Sequence, residues 1–241
     1  MINDKLHIFN EEKALSQGFT GFMLTEIINE GNAANIALSG GNTPKTLFDY
    51  WSNNYSDKIP WDAIRLFWVD ERCVPPDDEM SNYGMTKEHL LNRIEMPSNN
   101  IFRIHGENDA EDEVRWYSEI LHSELPQNSN VPELDLIMLG LGEDGHTASI
   151  FPDRIDLWES GENCVATTHP DTDMKRISMT GKVINNARNI AFLVTGKSKA
   201  ERVRDIIKSR DFLRNEYPAA RVSPKNQQIH WFLDEDAASL L

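Results

Sequence analysis

The sequence predicts an α/β protein, a single-domain, three-layer α/β/α arrangement around a mainly parallel, Rossmann-like sheet. Apolar runs of strand length alternate with longer stretches of helical periodicity, the pattern of a parallel sheet whose crossover helices cover both faces. One run, "ELDLIML" at residues 133–139, is almost continuously apolar, as burial on both faces requires. The 241 residues, 39% of them hydrophobic, suffice for one full core, and no repeat, linker or low-complexity segment divides them. Residues 1–241 are therefore read as one domain.

Taken in order, "KLHIF" (5–9) reads as the first strand. Helical periodicity follows over 12–31, with Gly31 placed to cap its C-terminus. "NIALSGG" (35–41) is a second strand and turn. A helix opens at Thr43-Pro44 and carries Leu47, Phe48 and Trp51 on one face. "IRLFWVDER" (64–72) is a third strand. Residues 81–94 and 110–123 read as helices, the first carrying Tyr83, Leu90, Leu91 and Ile94, the second Val114, Tyr117, Ile120 and Leu121. After "ELDLIML" the pattern loosens into a loop beyond residue 152. It resumes with "RISMT" (176–180), "NIAFLVT" (189–195), a helix from Lys197 to about Lys208, and "IHWFL" (229–233).

Composition narrows the function classes. A formal net charge of −15 without a compensating Lys/Arg cluster repels a polyphosphate backbone, so nucleic acid is not an expected partner. The N-terminus is charged from Asp4 onward, and no run approaches the apolar length of a membrane span. A cytoplasmic protein is expected. Cys73 and Cys164 stand far apart outside any Cys-x-x-Cys pair, which fits two free thiols in a reducing compartment rather than a disulfide or structural zinc.

Two phosphate motifs fail on inspection. Gly140, Gly142 and Gly145 in "LGLGEDGHTASIFP" (139–152) have dinucleotide-loop spacing. That motif, however, needs a helix after the third glycine and an acidic residue at the end of a second strand. Here Pro152 limits any helix entered at Thr147 to about a turn, and "DLWESGENC" reads as loop. "TGKS" (195–198) resembles the end of a P-loop, but the required earlier glycine is Ala191.

What remains can carry chemistry. In "SGGNTP" (39–44), Gly40 and Gly41 permit a backbone turn with positive φ, Thr43 can cap the following helix, and its N–H groups suit an anion. An ordinary strand-to-helix turn would use the same residues. "WVDERCVP" (68–75) sets Asp70, Glu71 and Arg72 just past a buried strand, although charge runs are usually solvated surface. His146 lies in a glycine-flanked turn two residues after Asp144; imidazole suits proton transfer at neutral pH, and a nearby carboxylate can orient it. His7, His89, His105, His122, His169 and His230 read as packing or surface residues. Arg176, Arg188 and Lys199 flank strands and can counter the negative global field, Arg176 being the better placed of the two arginines.

Together, "SGGNTP", "DERCVP", "GLGEDGHTASIFP" and "TGKSKA" resemble, in order and spacing from about Asn35 to Ala200, the 6-phosphogluconolactonase family within the glucosamine/galactosamine-6-phosphate isomerase superfamily. The resemblance implies hydrolysis of 6-phospho-D-glucono-1,5-lactone in the oxidative pentose phosphate pathway. His146 would be the base and Asp144 its orienting partner, with Asp70 and Arg72 beside them. Gly40, Gly41, Asn42, Thr43, Arg72, Arg176 and Lys199 would hold the substrate. No metal or cofactor is implied, and a monomer or weak homodimer is expected. Asp-Glu-Arg before Val-Pro and Phe151-Pro152 favour the lactonases over the deaminases of the superfamily, which tend to carry Asp-Glu-Tyr and Phe-Asn-Glu-Pro. Asn42 and Ile150 are mild departures. The competing reading is an aldose-ketose isomerase-deaminase with Asp70 as base; a non-catalytic sugar-phosphate sensor would not need both Asp144 and His146.

Overall fold

The computed structural model describes residues 2–28 and 33–241. In chain order the elements are β1 (Asn3–Phe9), α1 (Glu12–Phe22), β2 (Ala34–Leu38), α2 (Asn42–Asn54), β3 (Ile64–Trp68), β4 (Asp70–Arg72), α3 (Asn82–His89), β5 (Ile101–Phe102), α4 (Ala110–Glu124), β6 (Gln127–Asn128), β7 (Val131–Pro132), β8 (Leu136–Leu139), β9 (Cys164–Thr168), β10 (Lys175–Met179), α5 (Gly181–Ile184), β11 (Ile190–Val194), α6 (Ala200–Leu213) and β12 (Gln228–Asp234). Seven strands form one sheet in the order β1-β12-β11-β8-β2-β3-β5, and every neighbouring pair in it is parallel. The mainly parallel α/β architecture is thus as the alternation predicts.

Both faces of this sheet are covered because its strands alternate large side chains across them. Phe232 of β12 meets Phe19 of α1 edge-on, ring centroids 5.0 Å apart. Its neighbour Trp231 points the other way and donates its indole N–H to Asp4 (2.7 Å), which in turn accepts from Arg210 of α6 (2.5 Å). Leu47, Phe48 and Trp51 of α2 are fully buried, and so are all four residues of β8.

The structure departs from the sequence reading in several places. "IRLFWVDER" is two strands, since β4 leaves the main sheet and joins an antiparallel sheet of order β4-β10-β9. Val69 is the hinge: its N–H donates to Leu38 of the main sheet (2.9 Å), and its carbonyl accepts from Met179 of the small one (2.8 Å). "RISMT" belongs to this small sheet. The loop expected after residue 152 holds 3-10 turns over Pro152–Glu159 and then β9. Helix α3 starts after Ser81, whose hydroxyl accepts from the Gly84 N–H (2.9 Å), and ends at His89. The last helix is preceded by a 3-10 turn at Lys197–Lys199. Helix α1 continues as a π-helical segment over Met23–Ile27; the cap assigned to Gly31 lies outside the described residues.

At the sheet edge, His7 Nε2 and His230 Nδ1 lie 3.3 Å apart across β1 and β12. Burial, then the charges of His7 and Lys5, pull the His230 pKa down to about 4 from 6.5. A histidine depressed on folding contributes stability that is present above its unfolded pKa and is lost as pH falls through the folded one. Chemical denaturation between pH 7 and pH 4 should therefore show stability falling, and His230→Phe should flatten that fall. Equal slopes in both proteins would remove His230 as its source.

Candidate active site

The strand order reverses between β2 and β8. From β2 the chain builds outward through β3 to β5, then returns to the other side of β2 with β8 and builds on through β11 to β12. Loops leaving the carboxyl ends of strands on either side of such a reversal diverge and leave a crevice. A cleft of about 200 Å³ lies there, lined among others by Gly40, Gly41, Asp70, Arg72, His146, Arg176 and Lys199, seven of the residues singled out from the sequence. Asn42 lines an adjoining groove of about 720 Å³ that shares Gly41, Arg72 and Asn82 with the cleft.

The turn after β8 builds an acid-imidazole pair. Asp144 Oδ1 accepts both from the His146 backbone N–H (3.1 Å) and from His146 Nδ1 (2.6 Å). An ionised carboxylate only accepts, so the neutral imidazole carries its proton on Nδ1 and leaves the Nε2 lone pair free for a proton. Burial alone would raise the Asp144 pKa, but the hydrogen bond and charge of His146 outweigh it and hold the carboxyl below its ordinary value. Asp144 therefore stays ionised and stabilises the imidazolium that forms when Nε2 takes a proton. The glycines of this stretch serve the turn. A Cβ on Gly142 would stand 2.1 Å from His146 Nδ1 and 2.3 Å from Asp144 Oδ1, so only glycine admits the pair. Thr147 donates to the Gly140 carbonyl (2.9 Å) and pins the far side of the turn.

The small sheet supplies the positive charge. Arg72 of β4 and Arg176 of β10 are register partners, so their side chains share one face. Among the described residues, Nε of each is buried without a hydrogen-bond partner. Arg72 donates through Nη1 to the Met80 carbonyl (2.5 Å), and Arg176 reaches the Ser149 hydroxyl at 3.4 Å. Burial first, and the neighbouring Arg72 guanidinium second, lower the Arg176 pKa. Two neighbouring guanidiniums with spare donors can receive an anion, because an entering anion relieves both the repulsion and the unmet hydrogen bonding. Lys199 adds a third cation, 3.8 Å from the Glu143 carboxylate.

Within the Asp-Glu-Arg run, Glu71 has a structural part. It is 1% exposed, and its carboxylate accepts from the backbone N–H groups of Arg72 (2.7 Å), Asn82 (2.7 Å) and Tyr83 (2.8 Å) and from Ser81 Oγ (3.1 Å). It thus ties the start of α3 to β4. Asp70 accepts from Ser149 Oγ through Oδ2 (2.6 Å).

Other expectations need correction. Gly41 has the anticipated positive φ, +111°. Gly40 does not; there the constraint is space, since a Cβ would come within 1.7 Å of the Asn82 amide oxygen. Helix α2 opens at Asn42 without a side-chain cap. Thr43 is turned instead toward Thr195, the two hydroxyls 2.8 Å apart, which joins the loop after β2 to the loop after β11. Arg188 lies at the opposite end of the sheet, paired with Glu133 (2.7 Å) and Asp135 (3.2 Å). His169, read as a packing or surface residue, packs edge-on to Phe151 at 5.0 Å, and Phe151 lies 4.8 Å from the His146 ring. Asn82 and Ser149 were not foreseen. Asn82 Nδ2 holds the Asp70 carbonyl (2.8 Å), and in the sequence it lies in "DEMSNYG", which carries no motif.

Comparison with known proteins matches residues 13–231 to the model of the family described as glucosamine-6-phosphate isomerases/6-phosphogluconolactonase. The chain belongs to this family. Among family members, it is 42% identical over 197 residues to a 6-phosphogluconolactonase of Treponema pallidum, covering 82% of this chain and 81% of that one. The human 6-phosphogluconolactonase is 38% identical over 210 residues, covering 86% of this chain and 80% of its own. Among solved structures, devB protein superposes with a TM-score of 0.92 at 37% identity over 98% of this chain and 99% of that chain. In this family member the two cysteines are free, and burial pushes Cys73 up to about 11 and Cys164 up to about 12, which keeps both as thiols at neutral pH. Among the described residues no helix is long and apolar enough to cross a membrane.

Proposed function

We propose that the protein hydrolyses 6-phospho-D-glucono-1,5-lactone to 6-phospho-D-gluconate in the oxidative pentose phosphate pathway, with His146 as general base. The observation that carries this reading is the Asp144–His146 pair, 2.6 Å apart, whose imidazole opens into the same cleft as Arg72 and Arg176. The lactonases to which the chain is similar support the substrate.

The phosphate sits between Arg72 and Arg176, with Lys199 and the N–H groups of Gly41, Asn42 and Thr43 at the start of α2 completing its shell. That anchor fixes the ring so that the ester carbonyl stands beside His146. Water adds to the carbonyl carbon as His146 Nε2 takes its proton. As the bond from this carbon to the ring oxygen breaks, the imidazolium returns the proton to the departing oxygen, and the chain opens to the acid. A positioned base supplies about 10²- to 10⁴-fold, and remote phosphate binding energy supplies orientation. Asp70 accepts a hydrogen bond from a sugar hydroxyl. We further take residues 1–241 as one catalytic domain, acting in the cytoplasm as a monomer or weak homodimer.

The test follows loss of freshly generated 6-phosphogluconolactone against its spontaneous rate. Acceleration by the protein, with no ammonia released from glucosamine 6-phosphate, is expected. A rate equal to buffer would overturn the assignment.

A further inference from the structure

Ser149 is fully buried, so its hydroxyl cannot meet substrate, yet it has an unusual position. Its Oγ donates to Asp70 Oδ2 (2.6 Å) and accepts from Arg176 Nη1 (3.4 Å). A carboxylate only accepts and a guanidinium only donates, so one hydroxyl placed between them has a single arrangement that serves both. Its backbone N–H is held in turn by Ser178 Oγ (3.1 Å). The residue before it, Ala148, has φ +52°, a conformation that a non-glycine residue keeps only when its surroundings hold it. Ser178 and Asp70 are register partners, as are Arg176 and Arg72, so Asp70 and Arg176 are diagonal neighbours on one face of the small sheet. Opposite charges at that separation would ordinarily close into an ion pair, but among the described residues they form none within 4.0 Å, and the Ser149 hydroxyl stands between them.

We infer that Ser149 is a positioning residue that spaces Arg176 away from Asp70, keeping the guanidinium available to the substrate phosphate and the carboxylate available to the sugar. The same residue lies on the turn that carries His146, so it ties the base to the anion anchor through one side chain. The inference rests on the reading of Arg176 as a phosphate ligand.

Removing the hydroxyl in Ser149→Ala lets Arg176 and Asp70 close on each other. Inorganic phosphate, measured by calorimetry and as a competitive inhibitor, should then bind about tenfold more weakly, the scale of one hydrogen bond to a charged group. KM should rise more than kcat falls, a split that a general loosening of the fold would not produce. The double variant Ser149→Ala/Asp70→Asn should regain phosphate affinity, because the charge that captures Arg176 is gone, while turnover stays low. If Ser149→Ala does not fold, Ser149→Cys, of similar volume and weaker hydrogen bonding, takes its place with the same expectations at smaller size. Wild-type phosphate affinity in the folded variant, or no recovery in the double variant, overturns the spacer role. Should wild type neither bind phosphate nor accelerate lactone opening, the failure lies with the assigned function; if wild type does both and only the Ser149 variants are silent, it lies with this inference alone.

Discussion

The His146→Ala variant should lose about 10²- to 10⁴-fold in kcat, the contribution of a positioned general base, with KM nearly unchanged. The split follows from the geometry. His146 is fixed by Asp144, which takes both its backbone N–H and Nδ1, and neither contact involves the cationic residues proposed to hold the phosphate. Losing the imidazole therefore removes an interaction made as the proton moves and leaves ground-state binding in place. Stopped assays on freshly generated lactone, corrected for spontaneous opening, would measure it. A variant with wild-type kcat would take His146 out of the reaction. Asp144→Asn should reproduce part of the loss, because an amide no longer fixes the Nδ1–H tautomer or stabilises the imidazolium.

Arg176→Ala should act the other way round, raising KM by about 30-fold or more, since truncating one partner of a desolvated charge pair costs about 2–5 kcal/mol. Arg176 is only 8% exposed, so solvent cannot replace the guanidinium as it would at the surface. Its loss also leaves Arg72 as the only arginine on that face of the small sheet. Because Arg176 reaches Ser149 only through a long hydrogen bond, the fold should survive its removal, and thermal unfolding close to wild type would separate a binding defect from a folding one. An unchanged KM would exclude Arg176 from the anchor.

The main sheet was legible because a strand buried on both faces writes itself as an apolar run. "NIALSGG", "ELDLIML", "NIAFLVT" and "IHWFL" each became a parallel strand. The small sheet was not. β9, "CVATT", is specified by its pairing with β10 rather than by a pattern of its own, although its β-branched residues are a signal that a search for edge strands would have caught. Nor does anything in "IRLFWVDER" announce that Val69 hands the chain from one sheet to another, since extended backbone looks the same in both. The site followed a similar division. Residues near strand ends, such as Arg72, Arg176 and His146, could be placed by where their strands begin or stop. Asn82 and Ser149 could not, because their importance lies in which distant carboxylate or carbonyl they touch. Thr43 shows the limit in the other direction: its type suits a helix cap, but a hydroxyl partner on another loop claimed it.

The pairing of β1 with β12 has a bearing on how this chain is made. Asp4 and Trp231, joined by a hydrogen bond, are 227 residues apart in sequence, and β12 is the strand that lies between β1 and β11. During synthesis β1 can therefore find no strand partner until β12 has emerged. Through that interval the nascent chain carries an apolar segment with open backbone hydrogen-bonding groups, Leu6 and Ile8 among its side chains, which remain 43% and 48% exposed even in the finished fold. Such an edge is prone to pair with other chains. The burden of keeping the nascent protein soluble then falls on Asp4 and Lys5 beside those residues and on the strong negative charge of the whole chain.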